Sequence, residues 1–150
     1  MLKRVKRLLP VVQMAEETER DAAAKLAKTQ HQLMHAQSQL QGLEQYRGDY
    51  QDQWQKQGQM GVSGEWLMNY QRFLSQLETA IEQQRNSIKW HQQNVDKARD
   101  LWQTAYTRLE GLRKLVQRYQ QQAQQLANKI EQKDMDEIAQ RLGLNRQRHE

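Results

Sequence analysis

The sequence predicts an all-α protein, a long antiparallel coiled-coil hairpin of two helices whose second helix projects beyond the first. Three observations carry this. Apolar residues recur at alternating steps of three and four along most of the chain, one glycine-rich stretch near the middle interrupts them, and the composition leaves little material for a thick core. Of 150 residues, 37% are hydrophobic, 28 are glutamine, one is proline and none is cysteine. A seam between two helices suits such a chain, because each helix hides only one stripe.

The first helix is expected over about residues 5–57. Its seam reads Val5, Leu8, Val12, Ala15, Glu19, Ala22, Leu26, Thr29, Leu33, Ala36, Leu40, Leu43, Arg47, Tyr50 and Trp54, with Glu19, Thr29 and Arg47 as polar interruptions. Pro10 fits poorly in a helix interior, so the start of this helix around it stays open. The turn is expected at residues 58–63, where three glycines fall within residues 57–64. Ser63 suits the N-cap of the next helix, and Glu65 places an anion in its first turn.

The second helix is expected over about residues 64–140. Its seam reads Leu67, Tyr70, Leu74, Leu77, Ile81, Gln84, Ile88, His91, Val95, Ala98, Trp102, Ala105, Leu109, Leu112, Val116, Tyr119, Ala123, Leu126 and Ile130, of which seventeen are apolar. So long a heptad argues for a coiled coil. Residues 141–150 are expected to be a flexible basic tail, and the whole chain 1–150 a single coiled-coil domain.

Folding about the turn places residue i opposite roughly residue 121 − i, so the first helix reaches only to about Gln120. Ala123, Leu126 and Ile130 are then left without a partner inside the chain, which predicts an intermolecular contact. The same register locates the charge. The net charge is +5, yet residues 1–7 carry four basic side chains and no acid, and residues 141–150 carry three arginines against Glu150. The 133 residues between hold 16 basic and 17 acidic side chains. Lys3, Arg4, Lys6 and Arg7 are expected beside Arg113, Lys114 and Arg118, a basic collar that stability alone would not assemble. An acidic partner at that end is the reading this favours.

Enzymatic signatures are missing: there is no phosphate-binding glycine loop, nucleophile elbow or His-Glu-x-x-His pattern. The expectation is a protein that is not an enzyme, with no catalytic residues, cofactor or metal. His31 and His35 are spaced i, i+4 on the outer face of the first helix and read as solvated side chains, since spacing supplies no third ligand. His91, in the seam near Thr29, reads as part of a polar layer that sets register. No apolar run spans a bilayer, and the run after the basic start is too short for a signal peptide. A cytoplasmic protein is expected.

Trp66, Phe73 and Ala80 occupy successive g positions of the second helix and with Leu77 form an apolar strip leading away from the turn. Two readings stay open: the aromatics cover the seam beneath them, or the strip docks a partner. Trp90 lies at an outer position.

The chain resembles the FliJ family of flagellar export proteins, and more distantly its counterparts in injectisome type III secretion. The likeness rests on length, the basic start entering Leu8-Leu9-Pro10-Val11-Val12, Glu16-Glu17 in an alanine-rich first helix, the central glycine turn and the glutamine-rich second helix. Its most specific part is Tyr70-Gln71-Arg72-Phe73-Leu74-x-x-Leu77-Glu78-x-Ala80-Ile81. The resemblance implies a coiled-coil stalk that inserts into the hexameric flagellar export ATPase, promotes its assembly and activity, and links it to the export gate protein FlhA and to export chaperones. It implies gate contacts at Phe73, Leu77, Ala80 and Gln84, the last often histidine in relatives, with Trp66 flanking them. Contacts with the ATPase ring would fall to Lys3, Arg4, Lys6, Arg7, Arg113, Lys114, Arg118, Leu126 and Ile130. The implied location is the cytoplasm, peripheral at the cytoplasmic face of the inner membrane through these partners. The alternative is a basic coiled-coil adaptor binding nucleic acid or an anionic membrane surface.

Overall fold

The computed structural model describes residues 2–149, with side chains through Gly143. Two helices account for nearly all of it: α1, Leu2–Gly58, and α2, Gly64–His149. They pack against each other in the antiparallel sense and no strand occurs among the described residues, so the chain is a helical hairpin.

Contacts divide the chain into two compact units, to each of which both helices contribute. The turn unit is Asp21–Gln103; the terminal unit joins the residues up to Arg20 with those from Thr104 onward. In both units the buried side chains are those of the heptad seam. Val5, Ala15, Ala105 and Leu109 are buried in the terminal unit, and Ala36, Tyr70, Leu77, Ile81, Val95 and Ala98 in the turn unit. Every other seam position through Ala123 is half-buried. Three and a half residues per turn keep one stripe facing the partner helix, and the glutamine-rich remainder stays in water.

The connection between the helices is short and hydrogen-bonded. The amide of Met60 donates to the carbonyl of Gln57 at 3.0 Å and that of Gly61 to Gly58 at 3.3 Å, tightening the last turn of α1. Gly61 then takes φ of 86°, a left-handed conformation in which a side chain would be strained. Ser63 caps α2 as expected: its Oγ accepts the Trp66 amide at 3.1 Å. Lys56 in the last turn of α1 and Glu65 in the first turn of α2 each match the sign of the adjacent helix dipole.

The helix limits differ from expectation at three points. Helix α1 begins at Leu2 and runs through Pro10, which lacks only the amide that would bond the Lys6 carbonyl; the proline ring lies on an exposed position, so water can serve that carbonyl. The turn is shorter, residues 59–63, because Gly58 closes α1. Helix α2 continues to His149 instead of ending near residue 140 in a tail. One glycine, Gly143, costs a helix only about 1 kcal/mol relative to alanine, and no proline follows to stop it.

Candidate partner-binding surfaces

In the turn unit the register brings together six aromatic rings. Tyr50 stacks on Tyr70 at 5.1 Å, Trp54 on Tyr70 at 4.8 Å and on Trp66 at 6.3 Å, and Phe73 meets Tyr50 at 4.6 Å and Tyr46 at 6.0 Å. Tyr50 faces Tyr70, and Trp54 faces Trp66, one residue from the opposition the turn predicts. Such contacts add about 0.5–1.5 kcal/mol per pair beyond the area they bury. The sequence reading missed this cluster as a unit, although its own register, applied to the aromatic positions of both helices, would have found it. Burial raises the Tyr70 phenol above its ordinary value of 10.0, and the charges of Tyr50 and Glu78 push in the same direction.

This packing decides what the apolar strip presents. Trp66 and Phe73 are half-buried and lie against α1 aromatics, Ala80 is half-buried, and Leu77 is buried in the seam. The rings therefore cover the seam, and the outward part of the strip is carried by the edges of Phe73 and Trp66 and by Ala80. The Gln84 amide nitrogen donates to the backbone carbonyl of Ala36 at 2.9 Å and to Gln39 Oε1 at 3.2 Å. Gln84 is thus a clasp between helices, with only its own carbonyl oxygen uncommitted. Nearby, Arg85 bridges to Glu44 across the seam at 3.3 Å.

The expected polar layer does not form. Thr29 donates its hydroxyl to the Leu26 carbonyl of its own helix at 2.9 Å, and His91 Nδ1 is buried with no hydrogen-bond partner among the described residues. A β-branched hydroxyl in a helix readily satisfies itself on the preceding turn, which removes it from the seam. Trp54 Nε1 is likewise buried without a partner, its ring held by stacking. Trp90 is exposed and touches the His91 ring edge-on at 5.0 Å. His31 and His35 are exposed, and no group of three or more potential metal ligands occurs among the described residues.

In the terminal unit Arg4 and Arg7 line a hollow with Leu8, Leu115 and Tyr119. Lys3, Arg4, Lys6, Arg7, Lys114 and Arg118 are all exposed. None of the six pairs with an acid among the described residues. The guanidinium of Arg4 lies 5.5 Å from the centre of the Tyr119 ring. Arg113, expected in the collar, instead bridges to Glu16 of α1 at 3.5 Å and to Glu110 one turn before it at 3.2 Å. Past the opening of α1 the α2 seam continues uncovered. Leu126 and Ile130 are each 56% exposed, and together with Ala123, Ala127, Leu2 and Lys3 they line an open apolar groove. Beyond Ile130 the heptad positions are Lys133, Glu137 and Gln140, so the apolar seam ends there. No helix among the described residues is long and apolar enough to cross a membrane.

Comparison with known proteins matches this arrangement to one family. Residues 4–148 fit the family described as Flagellar FliJ protein. A relative of that description from Escherichia coli (strain K12) is 32% identical over 133 residues, covering 89% of this chain and 90% of the relative. A relative of the same description from Salmonella typhi shows the same identity and coverage.

Proposed function

The chain belongs to the flagellar FliJ protein family, and from that premise we propose that it is a component of flagellar type III protein export, a helical stalk that inserts into the hexameric export ATPase. One observation carries this reading. The α2 seam continues uncovered at Leu126 and Ile130, in a groove that Lys3 also lines, and Lys3 has no acidic partner among the described residues. An uncovered apolar stripe next to exposed cations of the first turns of α1 fits a ring lumen lined by apolar helices and acidic loops. Lys3, Arg4, Lys6, Arg7, Lys114 and Arg118 would meet the acids and Leu126 and Ile130 the apolar helices, while Arg113, paired within the chain, would contribute least. By binding the hexamer in preference to free subunits, the stalk would raise hexamer population and hydrolysis without chemistry of its own.

In the turn unit, contact with the export gate protein FlhA would fall to Phe73 and Ala80, flanked by Trp66, with Leu77 supporting them from the seam and Gln84 offering its free carbonyl oxygen. The reading extends to a link with export chaperones and a place at the cytoplasmic face of the inner membrane, supported only by the resemblance to the family.

The test is direct. Adding the intact chain to the purified ATPase should raise both the hexamer population and the rate of ATP hydrolysis, and Leu126→Ser with Ile130→Ser should weaken both while helix content is unchanged. If the wild-type chain raises neither, the stalk reading fails. Phe73→Ala should weaken FlhA binding and leave ATPase stimulation intact.

A further inference from the structure

Past Ile130 helix α2 changes the side on which it is apolar. Met135, Ile138 and Leu142 follow one another at i, i+3 and i+7, each with more than half of its surface in water. Their stripe is turned about a third of the way round the helix from Leu126 and Ile130, and Glu131, one turn before Met135, closes it at one end. One flank carries Asp134 and Arg141, both exposed and neither in an ion pair among the described residues. The other flank carries Ala139, while Lys133, Asp136 and Glu137 lie on the far side of the helix.

We propose that this stripe pairs with the same stripe of a second copy of the chain, the two α2 ends antiparallel about a two-fold axis. The stripe is complementary to itself. Turned end for end, it sets Met135 against Leu142 of the second copy and Ile138 against Ile138. Asp134 and Arg141 are spaced seven apart, as Met135 and Leu142 are, and a two-fold keeps their flank on one side of the pair. Each Asp134 therefore meets an Arg141 of the other copy, so two ion pairs form at once. A contact between like copies requires this match of spacing and charge within one surface, and an unrelated partner does not. A parallel pairing would instead set Asp134 against Asp134. Three large apolar side chains from each copy bury well under the about 1,200 Å² of a stable complex, so the dimer is transient, with a dissociation constant on the order of 0.1 mM. Leu126 and Ile130 stay uncovered, and the pairing neither needs the stalk reading nor uses its residues.

Sedimentation equilibrium of the intact chain, with no ATPase present, tests this. The average mass should rise from 17.9 kDa toward twice that value as concentration passes from micromolar to millimolar, and level there. Ile138→Ser, at the two-fold, should weaken association roughly tenfold or more, with far-ultraviolet circular dichroism unchanged. Asp134→Arg should weaken it as well, and adding Arg141→Asp to the same chain should restore it. The chain has no cysteine, so Ile138→Cys supplies a single thiol that should form a disulfide-linked dimer on mild oxidation, whereas Glu131→Cys should not. A mass that stays at one chain, growth beyond two chains, association untouched by Ile138→Ser, a charge exchange that fails to restore it, or faster cross-linking at 131 than at 138 would each overturn the proposal.

Discussion

Ile81→Ala and Leu101→Ala remove aliphatic bulk from the same helix in the same unit, yet the structure assigns them different costs. Ile81 is 1% exposed at the seam, and Leu101 is 57% exposed beside it. Truncating a fully buried isoleucine loses the transfer energy of its methyl and methylene groups and leaves a cavity, together about 2–5 kcal/mol. A two-helix seam has solvent on both flanks and can partly collapse, so the lower half of that range applies, about 2–3 kcal/mol. Leu101 already keeps most of its surface in water, and its truncation should cost less than about 1 kcal/mol. Urea unfolding followed by circular dichroism, with fragment-resolved hydrogen exchange to assign the loss to residues 21–103, measures both. The midpoint should fall clearly for Ile81→Ala and little for Leu101→Ala, with the slope unchanged. Equal losses at the two sites would refute the claim that stability resides in the seam and not in exposed aliphatic surface.

Two further outcomes follow from single contacts. Gln84→Ala removes both cross-helix donations of the amide, to Ala36 and Gln39, and should lower stability by about 1 kcal/mol, whereas Gln83→Ala, one position outward, should be nearly neutral. Tyr70 is an acid whose folded-state proton affinity is raised, so the folded chain holds its proton more tightly than the unfolded chain does. Its contribution to stability is complete below pH 10.0 and is lost as pH rises from there through the folded value. Melting followed across that alkaline range should show a fall that Tyr70→Phe reduces; an identical fall in the variant would assign the effect to other groups.

Much of the fold was legible because its signals are local. The seam list read from spacing alone contains every buried side chain of both units, and the turn, with its Ser63 cap, lies where glycine clusters. Periodicity assigns a residue to a face, and burial follows from the face. The candidate surfaces were legible only in part. Spacing put Leu77 both in the seam and on the docking strip, and packing chose the seam. The register placed Arg113 in the collar, yet its guanidinium reaches Glu16 and Glu110. Thr29 was expected to share a layer with His91, but a hydroxyl that can bond its own backbone does so first. For Arg113 and Thr29 the helix position was right, and the direction taken by the polar end of the side chain was not contained in it.

By itself, then, the sequence determined two amphipathic helices, the glycine break between them and the stripe that each one hides, because period and propensity belong to neighbouring residues. Only the tertiary structure decided which groups near that stripe are consumed in joining the helices, as Gln84 and Arg113 are, and which remain exposed, as Leu126, Ile130 and the cations of α1 do. That division depends on side chains far apart in the chain meeting across the seam, where distance and desolvation, and not spacing, select the partner.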